Sequence, residues 1–407
     1  MEKGKNENSD LMEKIVSLTK RRGFVFQGSE IYGGLAGTYD YGHYGLALKN
    51  NIKNSWWKKF VDGRRDMYGI DAAILMKSSV WEASGHVAGF SDPTPDGKQF
   101  NVMFKTQFGA GEEVATSYLR PETAQGMFVN FKNTVDAFHP KLPFGMAQIG
   151  KAFRNEIAPR DFLFRQREFE QMEIEYFVRQ EDWEKYFEYW KGEMLDWMEE
   201  LGLDMSKVHE LEVPDSDRAH YSSRTVDFEF DYPFGRKELF GLAYRTDFDL
   251  KTHKLEYIDE EKSEKIIPHV IEPTFGVDRA LLALLLSSYM EDEKGGEIRS
   301  YLKFKPSIAP VICAVSPLLK NKPELVEYAN TKVYAPLKAE FGRIAWDDNG
   351  NIGKRYRRQD EIGTPFCIVV DFDTLTDNTV TVRDRDTGEQ ERIKVEDLNK
   401  YIKDRIL

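Results

Sequence analysis

Apolar and polar positions alternate strictly along 226–232. Val226, Phe228, Phe230 and Tyr232 fall on one side and Asp227, Glu229 and Asp231 on the other, which predicts a strand with one buried face. Trp183, Phe187, Trp190, Met194, Trp197 and Leu201 recur every three or four positions among acidic residues, predicting a helix with one apolar stripe, stopped by Gly202. That aromatic stripe reads as core and not as a ligand platform. Asp278–Met290 is apolar on nearly every side and predicts a central, buried helix. The charged, glycine-broken stretch Glu291–Glu297 predicts a turn, and after Lys303–Pro306 the texture changes. A buried strand over Ala309–Val315, a helix over Pro323–Phe341, an apolar strand over Phe366–Phe372 and an alternating one over Thr379–Arg385 follow. Interleaved strands and helices predict a separate α/β domain with a mixed sheet, its boundary near Ser300. No internal repeat is visible.

The segment most suggestive of chemistry lies between these elements. Gly150–Glu156 and Gln166–Phe177 are β-like arms around a loop that carries Arg160 and Arg165, predicting an antiparallel hairpin with a long tip. On the second arm Arg167, Phe169, Gln171, Glu173 and Glu175 share one face, with Met172, Ile174 and Tyr176 on the other. Such a face suits a charged, planar ligand such as a nucleotide. A ring stacks on adenine, a guanidinium clamps phosphate, and a carboxylate accepts from an exocyclic amine. Composition alone favours the plainer alternative, an exposed hairpin laced with surface ion pairs that contribute little.

Composition narrows the classes further. The chain has 407 residues, 41% hydrophobic and 31% charged, enough for sizeable cores in two or three domains and unlike a disordered chain. A net charge of −12 argues against coating nucleic acid along the whole surface but leaves room for a local basic patch. Cys313 and Cys367 are too few for a disulfide scaffold or a four-thiolate zinc site. The longest apolar run, Ala280–Leu286, falls far short of the ~20 residues that cross a bilayer. Met1–Asp10 lacks the apolar centre of a signal peptide, so a soluble, cytoplasmic protein with no membrane attachment is expected.

Several near-motifs carry no weight. Gly145–Ala152 approaches a phosphate loop, but Ala152 stands where a magnesium-binding hydroxyl belongs and strand-like residues follow. Gly33, Gly34 and Gly37 read as a turn rather than a dinucleotide fingerprint. Met205-Ser206-Lys207 follows a helix stop and lacks a His-x-Gly-His partner. The histidines at 43, 86, 139, 209, 220, 253 and 269 have no zinc-ligand spacing. Asp227, Glu229 and Asp231 offer a divalent-cation face, though a solvated strand face is the simpler reading.

The remaining strings fit one family. Phe153-Arg154-Asn155-Glu156 with Arg167-Glu168-Phe169 resembles motif 2 of the class II aminoacyl-tRNA synthetases, and Gly276-Val277-Asp278-Arg279 opening an apolar helix resembles their motif 3. Arg120-Pro-Glu122-Thr-Ala-Gln-Gly126, Phe169-Glu-Gln-Met-Glu173 and His269-Val-Ile-Glu272-Pro-Thr274-Phe-Gly276 look like the dimeric glycyl-tRNA synthetases. Tyr41-Gly42 through Trp56-Trp57, Ser84-Gly85-His86-Val87, Glu238-Leu239 and Lys354–Gly363 agree, so the resemblance spans about residues 10 to 400.

The resemblance implies an α+β architecture: a class II antiparallel-sheet catalytic domain over residues 1–303, with a helical insertion at about 181–222, and an α/β anticodon-binding domain over 304–407. It implies a homodimer with motif 1, here Leu46–Val61 and the strand after it, at the interface. The implied reaction joins glycine to glycine tRNA through a glycyl-adenylate made from ATP with Mg²⁺. Arg154 and Arg279 would be catalytic, with Arg154, Asn155, Glu156, Phe164, Arg165, Phe169, Glu238, Leu239, Gly276, Asp278 and Arg279 holding ATP. Glu238 would hold the metal. Glu122, Gln171, Glu173, Arg245, Glu272 and Thr274 would hold glycine, and Lys354, Arg355, Arg357 and Arg358 would meet tRNA.

Two departures stand out. The cysteine-rich zinc insertion common in the family is replaced by the short turn Pro93–Gly97, so no zinc is expected, and Thr274 stands where Ser is common. The alternatives are a class II synthetase for serine, threonine or proline, and a non-catalytic synthetase-like accessory subunit. The latter would be expected to have lost charges that Arg154, Glu156 and Arg279 retain.

Overall fold

A computed structural model of the chain describes residues 2–406 apart from 112–113, 220, 260–261 and 295, with side chains described from Asp10 onward except at 294. The largest unit is a seven-stranded sheet. In chain order its strands are β1 (Met67–Gly69), β2 (Phe144–Phe153), β3 (Glu168–Val178), β4 (Val208–Glu212), β5 (Arg224–Tyr232), β6 (Gly235–Thr246) and β7 (His269–Gly276). They lie in the order β4-β5-β6-β7-β3-β2-β1, antiparallel throughout except for β1 beside β2.

Alternation divides the sheet into two faces with different work. One apolar row runs Phe240–Phe275–Met172 across β6, β7 and β3, and another runs Tyr244–Ile271–Tyr176. Against these pack α1 (His43–Trp57), α2 (Trp183–Leu201) and α3 (Val277–Ser288), and the three helices and the sheet share one buried core. The predicted helix over Trp183–Leu201 is observed with those bounds, ending at Gly202 in the left-handed region (φ 96°) that glycine enters without a Cβ penalty. α3 stays apolar all round because it lies between the sheet and α1.

Three local expectations are corrected. The apolar helix ends at Ser288, and Tyr289–Lys294 pairs with Glu297–Leu302 as a hairpin where a bare turn was expected. Arg299 turns inward to Asp292 and Asp360 while Tyr301 and Leu302 are buried, so the two strands needed no long apolar run to form. The helical insertion over 181–222 is not a separate appendage. α2 belongs to the main core, and from Val208 the chain is a strand of the main sheet. The strand expected at Ala309–Val315 sits at Cys313–Pro317, because Ala309 and Val311 are buried against the first core instead.

A second core forms around β8 (Cys313–Pro317), β9 (Ile344–Trp346), β10 (Phe366–Val370), β11 (Thr379–Asp384) and β12 (Gln390–Lys394), in the order β9-β8-β10-β11-β12. The first three are parallel and the last two antiparallel, the mixed sheet that the sequence predicts. The helical run Pro323–Phe341 covers it, and α4 (Ile352–Ile362), capped by Asn351, joins it to the first core. Asp360 on α4 accepts from Arg299 of the Tyr289–Leu302 hairpin at 3.2 Å and from Arg383 on β11 at 2.8 and 3.0 Å.

The Trp197 ring meets Phe60, Phe240 and Phe275 at centroid distances of 6.2, 5.9 and 5.2 Å, joining α2 to the sheet and to the extension of α1. Trp197→Ala is therefore expected to cost about 3–5 kcal/mol. Urea unfolding should show this as a lower midpoint with little change in slope.

Candidate active site

The face of the sheet opposite α1, α2 and α3 carries the polar residues. One row across it runs Asp227, Gly241, Thr274, Glu173 and Gln148, and the next places Ala243 beside Glu272. Gly241 and Ala243 keep the floor low, so the flanking carboxylates stand above it. β3 and β7 supply Glu173, Glu175 and Glu272, all buried. Glu122 arrives from outside the sheet, on the loop after Arg120. The Arg120 guanidinium donates to the carbonyls of Lys151 (2.6 Å) and Ala72 (2.7 Å) and so fixes that loop. It passes over Gly150, where a Cβ would lie 2.1 Å from its Nη2. The glycine of the rejected phosphate loop is thus required for a different reason.

Arg245, 1% exposed, organises the acidic groups. It donates to Asp249 through Nε (2.7 Å) and Nη2 (2.9 Å), and to Glu272 through Nη1 at 2.8 Å. Thr274 donates to Glu173 Oε1 at 3.1 Å, and Thr123 donates to the other oxygen. Glu122 faces His86 Nε2 at 3.3 Å and Gln125 Nε2 at 3.4 Å. Among the described residues Glu175 has no donor for either carboxylate oxygen, and the Gln171 carbonyl oxygen is likewise unpartnered.

The titrations diverge accordingly. Burial opposes the charge of Glu122, but His86, Arg245 and Arg154 overcome it and hold the carboxyl at about 2. Burial pushes Glu272 up to about 8, with Arg245 opposing and Glu173 and Glu122 adding to the rise. Burial and then Glu122 raise Glu173, while burial and then Glu272 raise Glu175 well above the carboxylate range. One cavity thus holds a firmly anionic carboxylate beside others that resist ionisation, an arrangement that marks functional sites.

Beside the carboxylates lies a cleft of about 160 Å³ lined by Arg154, Glu156, Phe164, Arg165, Phe169, Gln171, Glu238, Leu239, Thr274, Gly276, Asp278 and Arg279, among others. The hairpin is as expected, with Phe169 opposite Ala152 and Glu173 opposite Gln148, but its polar face lines this cavity instead of meeting solvent. The Arg279 guanidinium lies 4.5 Å from the Phe164 ring and within 3.2 Å of Glu238. Arg154 lies 5.3 Å from both Phe169 and Phe90 and donates to the Pro121 carbonyl at 3.1 Å. Glu156 accepts from Arg165, which also reaches Asp92 at 2.7 Å. The loop tip between the arms holds Asp161 (φ 61°) and Phe162 (φ 55°) in the left-handed region, strain of the kind found at ligand clamps. A wider groove of about 560 Å³, lined by Lys132, Lys254 and Tyr257, gathers no comparable polar set.

Some predicted residues take other positions. Asn155 does not line the cleft, and its backbone N–H donates to the Val102 carbonyl at 2.7 Å. Asp278 lines it, but its carboxylate accepts from Tyr41, from Lys49 at 2.8 Å and from the Glu170 N–H at 2.8 Å. The four basic residues of the predicted tRNA patch do not form one patch, because they lie on a helix, where that spacing turns them to different sides. Arg355 is buried and donates to the carbonyls of Gly350, Pro317 and Asp348. Arg358 donates to Asp347 and Arg357 to Glu297, while Lys354 is exposed. Asp360 and Glu361 lie on the same helix and pair with Arg383 and Arg22.

Sequence reasoning missed Asp249, Thr123, Gln125, His86 and the role of Glu175. Asp249 lies four residues from Arg245, an ion-pair spacing, but nothing in the strings marked it. For a metal, the Glu173, Glu175 and Glu272 oxygens lie within 4.8 Å of one another. Asp227 sits near Glu238 and Glu229, and burial, then those two charges, raise it to about 7. His220, one of the histidines considered for zinc, lies outside the described residues.

Comparison with known proteins follows the same division. The model of the tRNA synthetase class II core domain (G, H, P, S and T) matches residues 104–289, and the anticodon-binding domain model matches 312–405. The chain is 46% identical to a glycine–tRNA ligase of Lachnospira eligens, over 97% of this chain and 98% of that one. It is 47% identical to one from Lachnoclostridium phytofermentans (96% and 98%) and 42% identical to one from Thermus thermophilus (97% and 99%). The first of these alignments runs over 460 positions against a 407-residue chain, so that relative carries internal segments absent here.

Replacing Arg245 with Met is expected to cost about 3–5 kcal/mol, because Asp249 and Glu272 stay buried without their cation. The loss should grow with pH. Arg245 opposes the rise of the Glu272 carboxyl, which titrates at about 8; without it the carboxyl is raised further, so the variant goes on losing stability above pH 8, where the wild type levels off. Denaturation of both proteins at pH near 7 and near 9 would check both the size and the sign.

Proposed function

The chain belongs to the glycine–tRNA ligases, a branch of the class II aminoacyl-tRNA synthetases, and we infer that the cleft and its carboxylates are where glycine and ATP meet. The enzyme makes glycyl-tRNA in two steps, activating glycine with ATP as glycyl-adenylate and then transferring it to tRNA. Activation requires a glycine carboxylate oxygen to bond the α-phosphorus as the bond to pyrophosphate breaks. Protein groups contribute mainly positioning and charge neutralisation to such a step.

The observation that carries the assignment is the row Gly241–Thr274–Glu173 beside Ala243–Glu272, closed by Glu122. It is a floor without side-chain bulk, ringed by acceptors. We assign the ammonium group to Glu122, Glu173 and Glu272, with Arg245 holding the last in place and Gln171 facing the same cavity. The Thr274 hydroxyl is engaged with Glu173, so its methyl group crowds the α-carbon. A pocket gains only about 1–3 kcal/mol by recognising a methyl, whereas steric exclusion of a larger side chain has no such limit. Glycine is therefore selected by having no Cβ.

Arg154 stands between the two subsites, where it would bridge the glycine carboxylate and the α-phosphate. Phe169 and Arg279 would sandwich adenine, with Phe164, Leu239 and Gly276 completing its walls. Glu156 would accept from the adenine amine. Arg165 now holds Glu156, and moving to the outer phosphates would release it for that contact. Enzymes of this class use ATP with a divalent cation, generally Mg²⁺. Glu238, with Asp227 and Glu229 close by, fits such an ion, since Mg²⁺ commonly takes one or two carboxylates along with phosphate oxygens. The ion would neutralise charge on the leaving pyrophosphate. With the turn Pro93–Gly97 in place of a cysteine-rich insertion, we propose that no zinc is needed.

We further propose a cytoplasmic homodimer with α1 and β1 at its interface, β1 being the edge of the sheet; light scattering would read the assembly. Residues from 304 onward are assigned to the anticodon arm of glycine tRNA, although Phe304, Ile308, Ala309 and Val311 are buried with the catalytic core. Within that region Lys354 and Arg357 remain as candidate tRNA contacts, while Arg355 and Arg358 hold their own loop.

Glu122→Ala and Glu272→Ala are each expected to raise the glycine KM in ATP–pyrophosphate exchange at least tenfold, with the ATP KM within about twofold. Arg154→Ala and Arg279→Ala should instead lower the exchange rate itself. Because Glu272 accepts the ammonium as a carboxylate and titrates near 8, the wild-type glycine KM should fall as pH rises toward 8 and then level off. The Glu272→Ala variant should lack that slope, and a flat wild-type profile would refute the assignment. The pair Lys354→Glu with Arg357→Glu should weaken tRNA charging about tenfold and flatten its salt dependence while sparing exchange.

A further inference from the structure

Glu175 lies on the same strand face as Glu173, fully buried, with its carboxylate oxygens within 4.8 Å of those of Glu173 and Glu272. It is two positions deeper along β3 than Glu173, away from the cleft. Among the described residues neither of its oxygens has a hydrogen-bond donor, whereas Glu173 has two hydroxyl donors and Glu272 has Arg245. The groups around it are Glu173 on its own strand, Glu272 on β7, Arg245 from β6 and Asp249 from the helix Phe248–Thr252. Across β2 its neighbour is Met146, which offers no donor. The guanidinium of Arg245 is already committed to Asp249 and Glu272.

A carboxylate in that position would be a buried charge without a counter-ion or a donor, beside two other carboxylates. Two acids within reach of each other, one of them without a donor, resolve the conflict by holding a proton between them. Accepting the glycine assignment given above, we propose that Glu175 keeps its proton throughout the reaction and donates it as a hydrogen bond to the Glu173–Glu272 pair. Glu175 is on this view a positioning residue. As a neutral acid it removes one negative charge from beneath the pocket and supplies the donor that lets Glu272 ionise when the substrate ammonium arrives. No bond to glycine is made by Glu175, and the proton released on binding comes from Glu272.

The test compares Glu175→Gln with Glu175→Met in glycine-dependent ATP–pyrophosphate exchange across about pH 6.5 to 9. The amide keeps the shape and the donor but cannot ionise, while the thioether removes the donor. Glu175→Gln is expected to retain the wild-type glycine KM within about threefold, together with its pH profile. Glu175→Met is expected to raise the glycine KM tenfold or more and to move the fall in KM to higher pH, with the ATP KM unchanged. A tenfold or larger loss of glycine affinity in Glu175→Gln would overturn the proposal, because an anion would then be required. So would an unaltered glycine KM and pH profile in Glu175→Met. Should Glu175→Met not fold, Glu175→Gln alone still decides. Failure of the glycine assignment itself would appear separately, as an unchanged glycine KM in Glu122→Ala and Glu272→Ala.

Discussion

Everything in the catalytic unit is arranged around one unfavourable fact, the burial of five carboxyl groups around the buried guanidinium of Arg245. Glu122, Glu173, Glu175, Glu272 and Asp249 lie within the reach of Arg245, and each would cost several kcal/mol if left alone. Arg245 offsets two of them directly, His86 and Arg154 hold down a third, and hydroxyls from Thr123 and Thr274 satisfy a fourth. What remains is an excess of acceptors around a small space. On the assignment proposed above, that excess is the recognition device, because a small cation would relieve it. The opposite face of the sheet supplies the stability that this face withholds, with Trp56, Trp190 and Trp197 fully buried among apolar side chains.

Placing both jobs on one sheet makes register decisive. Met172 and Phe275 enter the core while their neighbours Glu173 and Thr274 enter the pocket, so a slip of one residue would exchange the two faces. Irregularities at Phe228/Glu229 and Tyr244/Thr246 shift the ladder locally. The second of these lies beside Arg245, where the chain leaves the sheet toward Asp249. Chain geometry thus sets the one cation that the carboxylates require.

How much of this was legible in the residues depends on the kind of signal. Alternation over 226–232 and the heptad-like stripe over Trp183–Leu201 were readable because each element meets a single environment along its length. The hairpin was readable for the same reason, but its burial was not. Alternation tells which residues share a face and says nothing about what covers that face, and here Glu122, Arg120 and the loop tip do so. The basic run Lys354–Arg358 misled because charge composition is blind to helical phase, which sends Arg355 inward to carbonyl groups. The string containing Glu122 also held Thr123 and Gln125, whose parts emerge only when β3 and the helix Phe248–Thr252 are brought alongside. Asp249 left no trace because its partner is defined by a tertiary bend.

Asp278 shows how the distant parts of the site are kept in one frame. Its carboxylate takes Lys49 from α1, Tyr41 from the strand before it, and the backbone N–H of Glu170 on β3, while its own helix carries Arg279 into the cleft. Lys49 completes the knot by also reaching Glu170 at 2.9 Å. A buried lysine is costly unless its neighbours repay the desolvation, and here two carboxylates do, raising it above its ordinary value despite burial. The hairpin arm and α3, which both line the cleft, are therefore held together by one charged cluster behind it.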